Sequence, residues 1–183
     1  MSLFTIYIVD DEELIHNSLR SYIRRNFPDV EIVPFFSAVM FIRYLKKHNV
    51  ENSLVILDHH FDIGISGSEA VGEIRRISKT LPIIFLTGVT DDSDITYTSD
   101  VNIHFKAKPI SEMELRRTIK ECIEVTETVS GLHDKVSSLE LEVQSLAEQV
   151  QQTKQWAYDA LQSLGAVSLY TSDAADEEDS VDL

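Results

Sequence analysis

Five residues able to do phosphoryl chemistry stand where the apolar runs of this chain stop. Phe4–Val9 stops at Asp10-Asp11, Leu54–Leu57 at Asp58 and Ile83–Leu86 at Thr87, while Ile103–Phe105 leads to Lys108-Pro109. If those runs are strands of one parallel sheet, their carboxyl ends gather around a single crevice, the usual ligand site of such folds. Three carboxylates packed there repel one another, and one pKa rises unless a cation enters. Oxygen ligands with open water positions suit Mg2+ or Mn2+. That ion would neutralise the cluster and orient a phosphoryl group for in-line attack by one of the carboxylates. The Lys108 ammonium would balance the charge of the transferred group, and the Thr87 hydroxyl would donate a hydrogen bond to it. Taken singly, each residue has an ordinary explanation: a helix N-terminal charge, an N-cap, a solvated lysine. Their convergence from four strand ends is what carries the reading. His59 and His60 follow Asp58 directly, but His16, His48, His104 and His133 are scattered, with no spacing for tetrahedral zinc.

The elements that must position these residues are legible in the hydrophobic periodicity. Glu31–Phe36 supplies a fifth strand-like run. Ile15, Leu19, Tyr22 or Ile23, and Phe27 recur at helical spacing and predict a helix from about Glu12 to Asn26. Ser37 is positioned to cap a second helix carrying Val39, Phe41, Ile42 and Leu45. Val71, Ile74 and Ile77 mark a third. Between Thr90 and Asn102 the chain is dense in Asp, Ser and Thr, which compete with the helix backbone for hydrogen bonds. A short frayed helix or a plain loop is expected there. Strands apolar on both faces, alternating with helices, predict an α/β fold: a doubly wound parallel sheet covered on both sides.

Ser111 with Glu114 three positions on forms a capping-box pattern after Pro109, and opens the last helix. From Leu115 a heptad runs almost to Leu164. One core position holds Leu115, Cys122, Val129, Val136, Val143, Val150, Ala157 and Leu164; the other holds Thr118, Val125, Leu132, Leu139, Leu146, Thr153 and Ala160. Valine alternating with leucine from 129 to 150 favours a two-stranded parallel coiled coil. In such a pair Lys135 of one chain faces Glu140 of the other. Gly131 lies off the seam, weakens the helix by about 1 kcal/mol and makes a soft joint. Trp156 falls at a flanking position. After Leu164 the chain turns acidic and loses its periodic face, so residues 166–183 are expected to be a disordered tail.

The chain of 183 residues carries a formal charge of −15 and one cysteine, Cys122. That leaves no internal disulfide framework and fits a reducing compartment. No basic leader is visible, and no apolar stretch approaches the roughly 18 residues needed to span a bilayer. A cytoplasmic protein without membrane contact is expected. Residues 125–183 hold 12 acidic and 2 basic side chains. Nucleic-acid binding, which draws most of its affinity from cations on phosphates, is not expected of such a segment.

Val9-Asp10-Asp11-Glu12, Leu57-Asp58, Pro82–Gly88 and Lys108-Pro109, in this order, resemble the receiver domain of bacterial two-component response regulators over residues 1 to about 124. The resemblance implies a five-stranded parallel sheet in the order 2-1-3-4-5. It implies Asp58 as phosphoacceptor, charged by a histidine kinase or phosphotransfer protein. Asp10, Asp11 and Asp58 would hold the metal with the backbone carbonyl of His60. Thr87 would move toward the phosphoryl group, Gly88 would leave it accessible, and Phe105 would be the aromatic residue that swings inward. Three departures stand out: the loop after Asp58 lacks the usual proline, Gly67 comes about one residue late, and Val101-Asn102 replaces a Gly-Ala pair. The expected organisation is a receiver over 1–124, a coiled-coil helix over 125–165 continuous with the last receiver helix, and the tail. Output would pass through a parallel homodimer and an unknown downstream protein. Such a protein accepts and slowly loses a phosphoryl group on its own aspartate, without enzymatic turnover. Two rivals are a Mg2+-dependent phosphohydrolase with an aspartyl-phosphate intermediate and a degenerate receiver used as a constitutive scaffold. The first wants a second aspartate two residues after the nucleophile, where this chain has His60; the second has no support in the five site residues, all of which are present.

Overall fold

Apolar runs at 4–9, 54–58 and 83–87 are buried on both sides because helices cover both faces of the sheet they form. The computed structural model describes residues 3–88, 100 and 102–176. In chain order the elements are β1 (Phe4–Val9), α1 (Glu13–Asn26), β2 (Val30–Phe35), α2 (Ala38–Leu45) and β3 (Ser53–Asp58). They continue with α3 (Gly67–Ile77), β4 (Ile83–Thr87), β5 (Ile103–Ala107) and α4 (Glu112–Asp176). The five strands form one parallel sheet in the order β2-β1-β3-β4-β5, as expected. Pro34 lies in β2, the edge strand, where a missing N–H is tolerated.

Alternate residues of each strand feed two cores. Val9, Leu57 and Phe85 pack with Phe41 of α2 and Ile74 of α3. Ile8, Ile56 and Ile84 pack with Ile23 of α1 and with Leu115, Ile119 and Cys122 of α4. Each fully buried isoleucine or leucine contributes roughly 1.5–3 kcal/mol, so these two layers fix the strand register and hence the strand ends. The opening turns of α4 therefore belong to the second core. The heptad assignment needs correcting here: Leu115, Thr118 and Cys122 are buried against the sheet, whereas Val125 and the expected seam residues onward are exposed. Periodicity marks an apolar face without saying what covers it.

Burial pushes the Cys122 thiol up to about 12, with Glu121 adding and Lys106 opposing. The folded protein should thus resist alkylation by iodoacetamide at pH 8.5, where an ordinary exposed thiol reacts freely. Full labelling only in denaturant is the expected outcome; equal rates in both states would refute it.

Helix starts follow their caps unevenly. Ser66 and Glu69 form a reciprocal capping box at α3, a Ser-x-x-Glu signal that the sequence reading passed over. Ser37 sits at the N-cap of α2 without a side-chain capping bond. At α4 only half the box closes: Ser111 Oγ accepts from the Glu114 N–H at 3.2 Å, while the Glu114 carboxylate turns to Lys106 of β5 at 2.9 Å. Buried Arg75 ties the end of α3 to the approach to β5, donating to the Leu81 carbonyl at 2.7 Å and pairing with Asp100 at 2.5 Å. Burial raises the Asp100 pKa, but its bonds to Arg75 and Asn102 outweigh that and hold it below the usual range.

The chain divides into two units, residues 1–132 and 133–183. Backbone of α4 is helical to Asp176, so over 166–176 the expectation of a disordered tail meets helix instead. Once a helix is nucleated each further residue costs little, and no proline intervenes there. The weak slot around 90–99 and the last residues, 177–183, lie outside the described residues. Among the described residues no helix is long and apolar enough to cross a membrane.

Candidate functional site

β1 and β3 run side by side with Val9 opposite Leu57, so the residues that follow, Asp10 and Asp58, emerge at the same edge of the sheet. Carboxylate oxygens of Asp10, Asp11 and Asp58 all lie within 4.8 Å of one another. Asp10 and Asp58 are buried, and Asp11 is half-buried. Lys108 reaches in from the end of β5, its Nζ 2.9 Å from Asp58 Oδ1 and 3.4 Å from Asp10 Oδ2. Four of the five expected side chains thus meet directly. Thr87 closes β4 opposite Ala107, and its carbonyl accepts from the Lys108 N–H at 2.7 Å, which seats the lysine backbone.

Backbone donors complete the site, and no sequence pattern announces them. The Glu12 N–H donates to Asp10 Oδ1 at 2.8 Å. The His59 N–H donates to Asp58 Oδ1 at 2.8 Å. The Asp62 N–H donates to Asp11 Oδ2 at 2.8 Å and ties the β3–α3 loop to the acidic pair. Both the lysine and the His59 amide meet Asp58 at Oδ1, so the carboxylate is held by one oxygen while Oδ2 lies outside these two bonds.

Burial pushes the Asp10 carboxyl above its ordinary value; Asp58 adds to the rise, and the Glu12 N–H and Lys108 oppose it. The expected rise in one carboxyl is therefore present, but desolvation leads it and like-charge repulsion follows. Burial alone would pull the Lys108 ammonium down, yet Asp58 and Asp10 together outweigh that and hold it above the usual lysine range. One ammonium among three carboxylates leaves excess negative charge in a largely buried place. An all-oxygen donor set of this kind fits a hard divalent cation such as Mg2+ or Mn2+.

Gly67, the first residue of α3, is pressed against the strand end that carries Asp58. A Cβ at this position would stand 2.3 Å from the Asp58 carbonyl oxygen, 2.6 Å from the His59 Cα and 2.8 Å from the Phe85 ring. The Gly67 N–H also donates to the His59 carbonyl at 2.8 Å. The proline-free loop reaches this point with Gly64 at φ +110°, a conformation that L residues rarely adopt. Gly67→Ala should lower stability by about 1–3 kcal/mol, the usual range for overpacking, because two of the three clashing atoms are backbone. Chemical denaturation measures this, and an unchanged midpoint would contradict the fit described. Gly88 is different, since a Cβ there meets nothing within 4 Å among the described residues. Phe105 packs edge-on to Phe85 with ring centroids 5.6 Å apart, on the core face shared with α2 and α3. His60 is exposed, two residues beyond Asp58.

A doubly wound parallel sheet with an acidic triad and a lysine at its carboxyl edge defines a class of α/β domains with a charged pocket at the strand ends. The match to the response regulator receiver domain extends over residues 6–120, and the chain belongs to that family. Solved structures agree in fold. A CheY-like receiver domain protein from Methanospirillum hungatei is 20% identical with a TM-score of 0.61, the match covering 69% of this chain and 98% of that one. A receiver domain protein from Clostridium thermocellum is 22% identical with a TM-score of 0.61, covering 69% and 99%. The response regulator StyR is 23% identical with a TM-score of 0.64, covering 76% and 68%. A comparison with curated proteins gave no match.

Proposed function

We propose that this receiver is a phosphorylation-dependent switch whose phosphoacceptor is Asp58. The observation that carries the reading is Lys108 bridging Asp58 and Asp10 beside Asp11. An Asp58 oxygen forms a bond to phosphorus as the bond from phosphorus to the donor breaks, and the donor group leaves with the electron pair. A receiver implies a histidine kinase or phosphotransfer protein as that donor. Asp10, Asp11, Asp58 and the His60 carbonyl would hold Mg2+, which would supply charge neutralisation and orientation of the incoming group. Lys108 then balances the new charge on Asp58, Thr87 donates to a phosphoryl oxygen, and Gly88 leaves the approach open. Phe105, beside Phe85, is the aromatic residue that changes place as Thr87 moves.

Output runs through α4. Seven seam residues, Val129, Leu132, Val136, Leu139, Val143, Leu146 and Val150, are each half-exposed or more in the single chain. Their spacing supports a parallel homodimer that presents a protein partner with a two-stranded surface. The acidic character of residues 125–183 favours a protein target over nucleic acid, and a cytoplasmic setting fits the whole.

Incubation with Mg2+ and a small acyl phosphate tests the central step. One phosphoryl group per chain is expected, and chelation of the metal should suppress its incorporation. Labelling of equal extent in the presence of chelator would overturn the proposal.

A further inference from the structure

His16, on α1, is buried, and its Nε2 lies 2.7 Å from the carbonyl oxygen of Asp10. A carbonyl only accepts, so Nε2 carries a proton and donates. Asp10 is the first residue past β1, where the ladder between strands ends. Its N–H still pairs with the Phe35 carbonyl at 3.1 Å, but its own buried carbonyl needs a donor from elsewhere, and an orphaned one costs about 1–3 kcal/mol. The second ring nitrogen, Nδ1, is buried with no hydrogen-bond partner among the described residues. The ring also packs on Phe36, in the β2–α2 connection, with centroids 4.3 Å apart. His16 therefore joins the ends of β1 and β2 at the acidic pair.

We infer that His16 is a positioning residue for the metal-binding carboxylates, an inference that rests on the proposed role of the acidic site. The other anchors of Asp10 grip its side chain, Glu12 N–H at Oδ1 and Lys108 at Oδ2, or its own N–H, which belongs to the preceding peptide plane. Among the described residues, the His16 bond is the one that holds the peptide plane between Asp10 and Asp11, to whose two ends the carboxylate-bearing residues belong. Outer partners of metal ligands typically change metal affinity by about 10- to 100-fold. Because His16 acts through the main chain, the low end is expected.

Calorimetric titration of the full chain with Mg2+ tests this in His16→Leu, which cannot donate, and His16→Gln, whose amide can. His16→Leu should weaken Mg2+ binding about tenfold, and His16→Gln should recover most of the loss. A merely structural role would lower the thermal midpoint of both variants without separating their Mg2+ affinities, and that result overturns the inference. Should His16→Leu not fold, nitrogen NMR of the wild-type histidines decides: a protonated Nε2 with a bare Nδ1 supports the assignment, and a proton on Nδ1 alone removes it. Failure of the wild type to bind Mg2+ would remove the site reading and this inference together. Wild-type binding with equal affinities in the two variants removes the inference only.

Discussion

Replacing Asp58 by alanine is expected to abolish phosphoryl incorporation from a small donor, with no residual label at Asp10 or Asp11. All three carboxylates lie within reach of one another, so the expectation needs an argument from their surroundings. Asp10 has both oxygens engaged, by the Glu12 N–H and by Lys108, and burial favours its protonated form. Asp11 is tied through Oδ2 to the Asp62 N–H. Asp58 is held at Oδ1 by two donors, one of them the ammonium that must accompany the transferred group. Loss of this nucleophile removes the step itself rather than slowing it, so the effect is complete. Asp58→Asn, which keeps the volume, should be equally inert. Mass spectrometry of the intact chain is the check, with circular dichroism confirming the fold. Label that survives either substitution would place the reactive residue elsewhere.

The second large effect concerns the dimer. Leu139→Lys combined with Val143→Lys should convert a dimer at micromolar concentration into a monomer while leaving the receiver folded and phosphorylatable. Both residues are exposed in the single chain and lie outside the two cores, so their replacement costs the receiver nothing. In a two-stranded coil the pair removes four buried side chains per dimer and inserts four charges. At roughly 1.5–3 kcal/mol for each apolar side chain, affinity should fall by at least about a thousandfold. Sedimentation analysis of wild type and double variant decides the matter. A wild type that sediments as a monomer would refute the coiled coil, and a dimeric double variant would move the interface off this seam.

The sheet and the acidic site were legible because each rests on side-chain types at strand ends. Apolar runs announce the strands, and the change to Asp, Thr or Lys announces where they stop. What escaped the sequence depends on the main chain. His16 looked like one of several scattered histidines because its partner is a carbonyl, which carries no residue signature. Ser66–Glu69 and Ser111–Glu114 share one pattern, yet only the first closes both bonds, because Lys106 competes for Glu114. Ser37 has the right type and place for a cap without making the bond. Cys122 shows the remaining difficulty, since heptad spacing continued unbroken across a change of what lies against the helix.

That continuity has a mechanical meaning. Leu115, Ile119 and Cys122 are clamped to the sheet, and Val125, Val129 and Leu132 follow in the same helix on the same spacing. With 3.6 residues per turn, inserting one residue after Cys122 would swing Val125, Val129 and Leu132 about the helix axis by about 100°. Inserting seven would nearly restore the original phase. Within the first unit, then, the bearing of this apolar stripe about the helix axis is set by the residues packed on the sheet. Any increment other than whole heptads would turn Val125, Val129 and Leu132 to a new bearing on the helix.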